Sequence, residues 1–403
     1  MAPLNVGLMG YGFSTTCFHL PFIVPNPDLK VYAFLQRAEA PSDKSAVKPG
    51  KHCTVDFPDA KHYRIADEFF ADSNIDLVIV CTHHDTHAEF AERALLAGKH
   101  VVVEKPFVVD TKEADRVIAL SKKSDKVLTV FQSRPPFAMQ VKRSWLTVVP
   151  DRRYDSDFRT LRALVDASAF GTITECEMHY DLDFPAANLT LTRVSLQWVT
   201  SWASPGWAPG EGLMYGIGSH TIDQALTLFG TPATVTGFYR ALRGIESRTD
   251  DSFTIILQYS GVKKNLFVTV KSSAVSQMQY PLKFLVRGYG GSFIKFGDDK
   301  QESQVMVGET TETPGFGIEP EATWGLLTTK DKFHESQTHD ERSGKWVGKF
   351  PSANGDYLGY YVDVVKAIRK EGEAKVTAEH ARNGLRVIEL ARESADKGCT
   401  LQF

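Results

Sequence analysis

Lys105 is the residue whose type and setting most invite chemistry. It follows Val101-Val102-Val103-Glu104 and precedes Pro106. A short run of β-branched residues reads as a buried strand that stops at the acid, the base and the proline. In a doubly wound α/β sheet, ligands lie beyond the carboxyl ends of the strands, where an amine can exchange a proton with a substrate. The competing reading makes Glu104 and Lys105 solvated charges at a loop start. A second group is Gly10-Tyr11-Gly12-Phe13-Ser14-Thr15. Its two glycines allow a tight turn and close approach of main-chain N–H groups to a pyrophosphate. Thr15 stands where a third small residue is usual. A third group, Thr82-His83-His84-Asp85-Thr86-His87, puts three histidines in five residues. A turn running into a helix sends those rings in different directions, so contacts to a cofactor or substrate are expected and a metal is not.

The elements around these groups alternate. Apolar runs at Leu4 to Met9, Leu29 to Leu35, Asp76 to Cys81, Val101 to Val103 and Val127 to Phe131 read as strands. Helical spacing at Ala88 to Leu96 and Thr111 to Ser121 separates the later ones, which argues for a parallel sheet covered on both faces. Residues 1–132 therefore read as a Rossmann-type dinucleotide-binding domain. After the second strand this fold places the residue that meets the adenosine ribose. Here that place holds Gln36 and Arg37 where an acid would accept from the 2′-hydroxyl of NAD. Arg37 can pair with a 2′-phosphate, so NADP is favoured over NAD, with Glu39 close by. The stretch from Glu39 to Pro58 reads as an irregular excursion.

Residues 133–150 break the pattern with Pro135-Pro136 and three basic residues without an acid, and read as an insertion. From 151 to 403 the texture changes. A helix with Phe158, Leu161, Leu164 and Val165 at core spacing precedes strand candidates at Ile173 to Tyr180, Thr234 to Leu242, Phe253 to Tyr259, Leu266 to Lys271, Leu282 to Gly288 and Ser292 to Phe296. One helix near Gly218 to Phe229 interrupts them, and two amphipathic helices, Tyr357 to Lys370 and Ala378 to Asp396, close the chain. The fold class is α/β: an N-terminal Rossmann domain, then an α+β domain with a large, open, mostly antiparallel sheet.

Composition narrows the partners. The chain has 403 residues, 42% hydrophobic and 24% charged, and a net charge of -3. No basic excess points to nucleic acid or an anionic membrane, and a small-molecule substrate is expected. Five scattered cysteines without metal spacing, and no leader or membrane-length run, suggest reduced thiols in the cytoplasm.

Taken together, Gly10-Tyr11-Gly12-Phe13-Ser14, Glu104-Lys105-Pro106 and Gly218-Ser219-His220-Thr221-Ile222-Asp223 make the chain similar to the Gfo/Idh/MocA family of NAD(P)-dependent oxidoreductases. The resemblance spans nearly the whole length. It implies hydride transfer between nicotinamide and a sugar, polyol or related secondary alcohol, with substrate between the domains and the open sheet forming a homodimer or larger homo-oligomer. It makes Lys105 and His220 the catalytic pair. The cofactor contacts it implies are Gly10, Gly12, Phe13, Ser14, Thr82, His84, His87, Glu104, Lys105 and Pro106, beside Arg37. A charged nicotinamide ring would disfavour the ammonium form of such a lysine and fit it to act as a base.

Three departures stand out. The family commonly carries an aspartate four residues before the histidine, and here that position is Gly216. Tyr215, Asp223 or the strand Glu177 to Asp181 would then have to orient His220, or the protein is a catalytically impaired sensor of sugar or nucleotide on the same fold. His83-His84 replaces the usual Pro-Asn, and residues 133–150 are additional. Trp198, Trp202 and Trp207 could stack on a sugar or serve as a hydrophobic lid. A third class, metal-assisted hydrolysis by His83, His84 and His87, has only their proximity in its favour.

Overall fold

The computed structural model describes residues 1–131, 152–182, 207–242 and 247–403. The expected insertion 133–150, with Trp198 and Trp202, lies outside the described residues. The first sheet contains β1 (Leu4–Met9), β2 (Leu29–Leu35), β3 (Lys61–Tyr63), β4 (Leu77–Val80), β5 (His100–Glu104) and β6 (Leu128–Phe131). All its pairings are parallel, in the order 3-2-1-4-5-6. Strands covered on both faces need no polar alternation, which is why β4 is the unbroken run Leu77-Val78-Ile79-Val80 with every residue buried. The order reverses between β1 and β4. Both strands end there at the same level, leaving the crevice in which this architecture takes ligands.

Val78, Val80, Val101 and Val103 face the helices His87–Leu96 and Thr111–Ser124. On the other face, Leu8, Ile79, Val102 and Phe131 meet Tyr360, Tyr361 and Val364 of the Leu358–Ile368 helix. That helix follows all but the last strand of the second sheet in sequence yet packs on the first, because its aromatic stripe covers an apolar sheet face.

The second sheet contains β7 (Ile173–His179), β8 (Thr234–Arg240), β9 (Ser252–Gln258), β10 (Phe267–Ser273), β11 (Leu282–Gly288), β12 (Gly291–Phe296), β13 (Gly325–Thr329), β14 (Thr338–Asp340), β15 (Lys345–Phe350) and β16 (Leu401–Gln402). They lie in the order 14-15-13-12-11-7-10-9-8-16. Only β7 and β10 run parallel. Alternation is clean in β9: Phe253, Ile255 and Leu257 are buried toward the helices Ser219–Phe229 and Ala378–Lys397, while Thr254 and Ile256 face outward. The outward face carries exposed Phe238, Phe267, Phe296 and Leu326. No helix among the described residues is long and apolar enough to cross a membrane.

Candidate functional site

The glycine turn leaves β1 at Met9. Gly10 has φ +94°, and a Cβ there would lie 2.9 Å from the Cys81 carbonyl oxygen at the end of β4. Both facts exclude a side chain. A Cβ on Gly12 would meet nothing within 4 Å, so the turn opens onto free space at the strand switch, the room a pyrophosphate needs. Thr15, in the third small-residue position, is buried and donates its hydroxyl to the Gly10 carbonyl at 2.9 Å, bracing the turn. Phe13 packs edge-on against Phe18. The residues present fit a dinucleotide cofactor.

At the end of β2, Gln36 has a structural task. Its side-chain oxygen accepts from the Cys53 N–H at 3.0 Å, and its amide donates to the Lys51 carbonyl at 3.3 Å, pinning the 39–58 excursion. That excursion contains two short helical turns, Lys44–Ala46 and Cys53–Asp56. The Arg37 side chain is exposed beside the strand end. Its neighbour Glu39 pairs with Arg64 at 2.7 Å, and the Arg64 Nε donates to the Arg37 carbonyl at 3.0 Å.

The three clustered histidines have three environments. His83 is exposed and pairs with Asp85 at 2.7 Å. His87 is buried, with Nδ1 2.9 Å from the Pro106 carbonyl oxygen and Nε2 3.1 Å from that of Thr82. It ties its own turn to the Lys105 strand end, and burial lowers its pKa. His84 stacks on His83 and lies directly under Gly210 of the second domain, where an added Cβ would be 2.6 Å from the ring. Burial, helped by the charges of His83, His87 and Lys105, pulls its pKa down to about 4. Thr82 receives the Thr86 hydroxyl at 2.7 Å. Among the described residues, no three His, Cys, Asp or Glu side chains are placed to share a metal ion.

Lys105 is buried at the end of β5, and its peptide bond to Pro106 is cis. Its Nζ donates to the main-chain carbonyl of Gly216 at 3.1 Å. Gly216 belongs to the π-helical turn Met214–Gly218, which runs straight into the Ser219–Phe229 helix with buried His220 in its first turn. The lysine from one domain and the histidine-bearing helix from the other thus converge at one place. Two of the acids considered as orienting groups are engaged elsewhere. Asp223 accepts two hydrogen bonds from the Arg153 guanidinium, both at 2.6 Å, and Glu177 pairs with His179 at 2.9 Å. Tyr215 is buried beside Trp207, and burial raises its phenol pKa.

Glu104 and Ser14 turn their side chains to each other. The Glu104 carboxylate accepts from the Ser14 hydroxyl, from His19 Nε2 at 3.1 Å and from the Lys105 N–H at 3.0 Å. Ser14 is therefore left to meet a phosphate through its main chain. His19 was not singled out by the sequence reading. Its only local sign is a histidine inside the apolar run Phe18-His19-Leu20-Pro21-Phe22-Ile23.

Comparison with known proteins agrees with this fold. Residues 4–132 match the model of an oxidoreductase family with an NAD-binding Rossmann fold, and residues 158–294 match the GFO/IDH/MocA C-terminal domain. The chain is 32% identical over 408 residues to an uncharacterized oxidoreductase of Schizosaccharomyces pombe, with 100% of both chains covered. It is 30% identical over 400 residues to the scyllo-inositol 2-dehydrogenase (NADP(+)) IolW of Bacillus subtilis, covering 99% of this chain and 96% of that one. A solved oxidoreductase from Bacillus cereus superposes with a TM-score of 0.79 at 26% identity, covering 99% and 98%. The two family models and the full-length relative from Schizosaccharomyces pombe agree on one conclusion: the chain belongs to the Gfo/Idh/MocA family of NAD(P)-dependent oxidoreductases.

Proposed function

We propose that the protein transfers hydride between NADP and a cyclitol, sugar or other polyol at a secondary alcohol. The observation that carries this reading is the meeting of Lys105 with the Gly216 carbonyl one turn before His220. The bound nicotinamide supplies the hydride acceptor or donor. Lys105 takes the hydroxyl proton in oxidation and returns it in reduction, and the Gly216 carbonyl holds its Nζ at the mouth of the crevice. His220, buried at the start of its helix, is the second proton-handling group. The relatives named for inositol oxidation make cyclitols the first substrates to try.

Two features favour NADP. Arg37 is exposed at the end of β2, and Glu39, which would repel a 2′-phosphate, is drawn to Arg64. The exposed phenylalanines on the outer sheet face suit a homodimer or larger assembly. The five cysteines are free thiols, in keeping with a cytoplasmic location. A second reading, a sensor that binds nucleotide without turnover, is favoured by the single fact of Gly216.

The test is a titration with NADPH and NADH followed by nicotinamide fluorescence, then addition of inositols, polyols and aldoses while nicotinamide absorbance is followed. Turnover that falls at least about 100-fold in Lys105→Ala, with nucleotide affinity retained, supports the enzyme. Tight binding without turnover across the panel supports the sensor, and no binding of either nucleotide overturns both.

A further inference from the structure

One buried ionisable group near the crevice, bonded through both of its ring nitrogens, takes no part in the scheme above. His19 is fully buried, its ring 4.3 Å from that of Phe131. Nδ1 contacts the Tyr361 hydroxyl and Nε2 contacts Glu104 Oε1 at 3.1 Å. An ionised carboxylate can only accept, so the ring hydrogen belongs on Nε2, and Nδ1 receives the hydrogen of Tyr361. Bond directions are then consistent along the whole chain: Tyr361 donates to His19, His19 donates to Glu104, and Ser14 and the Lys105 N–H donate to the same carboxylate.

Four segments meet in this chain: the glycine turn, the π-helical turn Thr15–His19, the end of β5 and the Leu358–Ile368 helix. Glu104 is where they join. Its Oε1 holds Ser14 of the turn and its Oε2 holds the main chain of Lys105. Without the His19 donor, Oε1 loses a contact that it holds alongside the Ser14 hydroxyl.

Resting on the reading that nicotinamide binds at this strand end, we propose that His19 is a positioning residue for hydride transfer. It sets Lys105 through Glu104 while touching neither cofactor nor substrate, and Tyr361 sets His19. The structure thereby makes the fit of a C-terminal helix part of the reacting geometry.

Glutamine can reproduce the pattern, with an N–H for Glu104 and a carbonyl for Tyr361, whereas phenylalanine keeps the ring and removes both nitrogens. The experiment compares His19→Gln, His19→Phe and Tyr361→Phe with the unaltered protein. Affinity for NADPH and the emission of the bound nicotinamide are read without substrate, and kcat and KM with whichever polyol is turned over. The expected result for His19→Phe is altered nicotinamide emission and a kcat lowered roughly 10- to 100-fold, the worth of a hydrogen bond to a buried charge. NADPH affinity should stay within about threefold, since most of the dinucleotide is held elsewhere. His19→Gln restores most of both readouts, and Tyr361→Phe shows a smaller change in the same direction.

A purely structural histidine would lower the melting temperature in all three variants while leaving emission and kcat of the folded protein unchanged, and that result overturns the proposal. Failure of glutamine to outperform phenylalanine does so as well. If His19→Phe does not fold, Tyr361→Phe decides, because losing one hydroxyl preserves the packing. If the unaltered protein turns over no polyol, the activity reading fails while the emission comparison still judges His19.

Discussion

Removing Arg153 should destabilise the fold strongly, because its loss strands a buried carboxylate. Its Nε and Nη2 each reach Asp223 at 2.6 Å, and Nη1 donates to the Lys375 carbonyl. Only 9% of the arginine side chain and 4% of the aspartate are exposed. The pair joins the Arg152–Tyr154 turn to the helix that carries His220, and the Lys375 bond adds the segment leading into the last helix. Arg153→Met leaves a buried carboxylate uncompensated, a loss of about 3–5 kcal/mol. Replacing both partners, as in Arg153→Met with Asp223→Leu, removes the stranded charge, so the double variant should lose far less than the sum of the singles. The assay is urea unfolding near neutral pH for the two singles and the double, giving a coupling of about 2 kcal/mol or more. An Arg153→Met loss below about 1 kcal/mol, or strictly additive effects, would refute the claim that this pair holds the histidine helix in place.

Three further outcomes are expected. Burial holds His84 at a pKa of about 4, against about 6.5 in an unfolded chain. The unfolded state binds the extra proton first, so the contribution of His84 is complete above about pH 6.5 and is lost as pH falls toward 4. Asp157 and Asp250, pushed up to about 6, act with the opposite sign, weakening the fold as pH rises from the ordinary carboxylate range. The difference between His84→Asn and the unaltered protein isolates the histidine: it should shrink by up to about 3 kcal/mol between those pH values, and parallel stability curves would count against it. Gly10→Ala forces a side chain into φ +94° and against the Cys81 carbonyl, costing about 1–3 kcal/mol and most of the nucleotide affinity, read by thermal melting and fluorescence titration. Arg37→Ala should weaken NADPH roughly tenfold while leaving NADH unchanged, the value of one charge-assisted contact to a 2′-phosphate; equal losses for both nucleotides would place the arginine elsewhere.

What could be read in the sequence was whatever depends on a few neighbouring residues. The apolar runs of β1, β2, β4, β5 and β6 announce strands covered on both faces, and Gly10 announces a backbone conformation. By contrast, β3 is only Lys61-His62-Tyr63, too short and polar to show a period, and exists because β2 offers Ala33 to Leu35 as an edge. The strands β13 to β15 were missed for a similar reason: their Thr, Lys and Gly residues give little alternation, and each forms by pairing with its neighbour. His87 reads locally as a cofactor contact, yet its ring reaches a carbonyl 19 residues away. His19 is harder still, with partners 85 and 342 residues distant, since only the fold brings them to it.

Gly216 is the sharpest case. Read as a side chain, it is a missing aspartate and an argument for a failed enzyme. Read in the fold, it presents a main-chain carbonyl at hydrogen-bond distance from Lys105. A carbonyl dipole favours the donating ammonium as a carboxylate does, but without a full opposing charge, so it restrains the amine while resisting its deprotonation less. Every residue type carries that carbonyl, so no pattern of residue identities at position 216 could have revealed the acceptor, and the loss of the acid does not by itself imply the loss of the lysine's anchor.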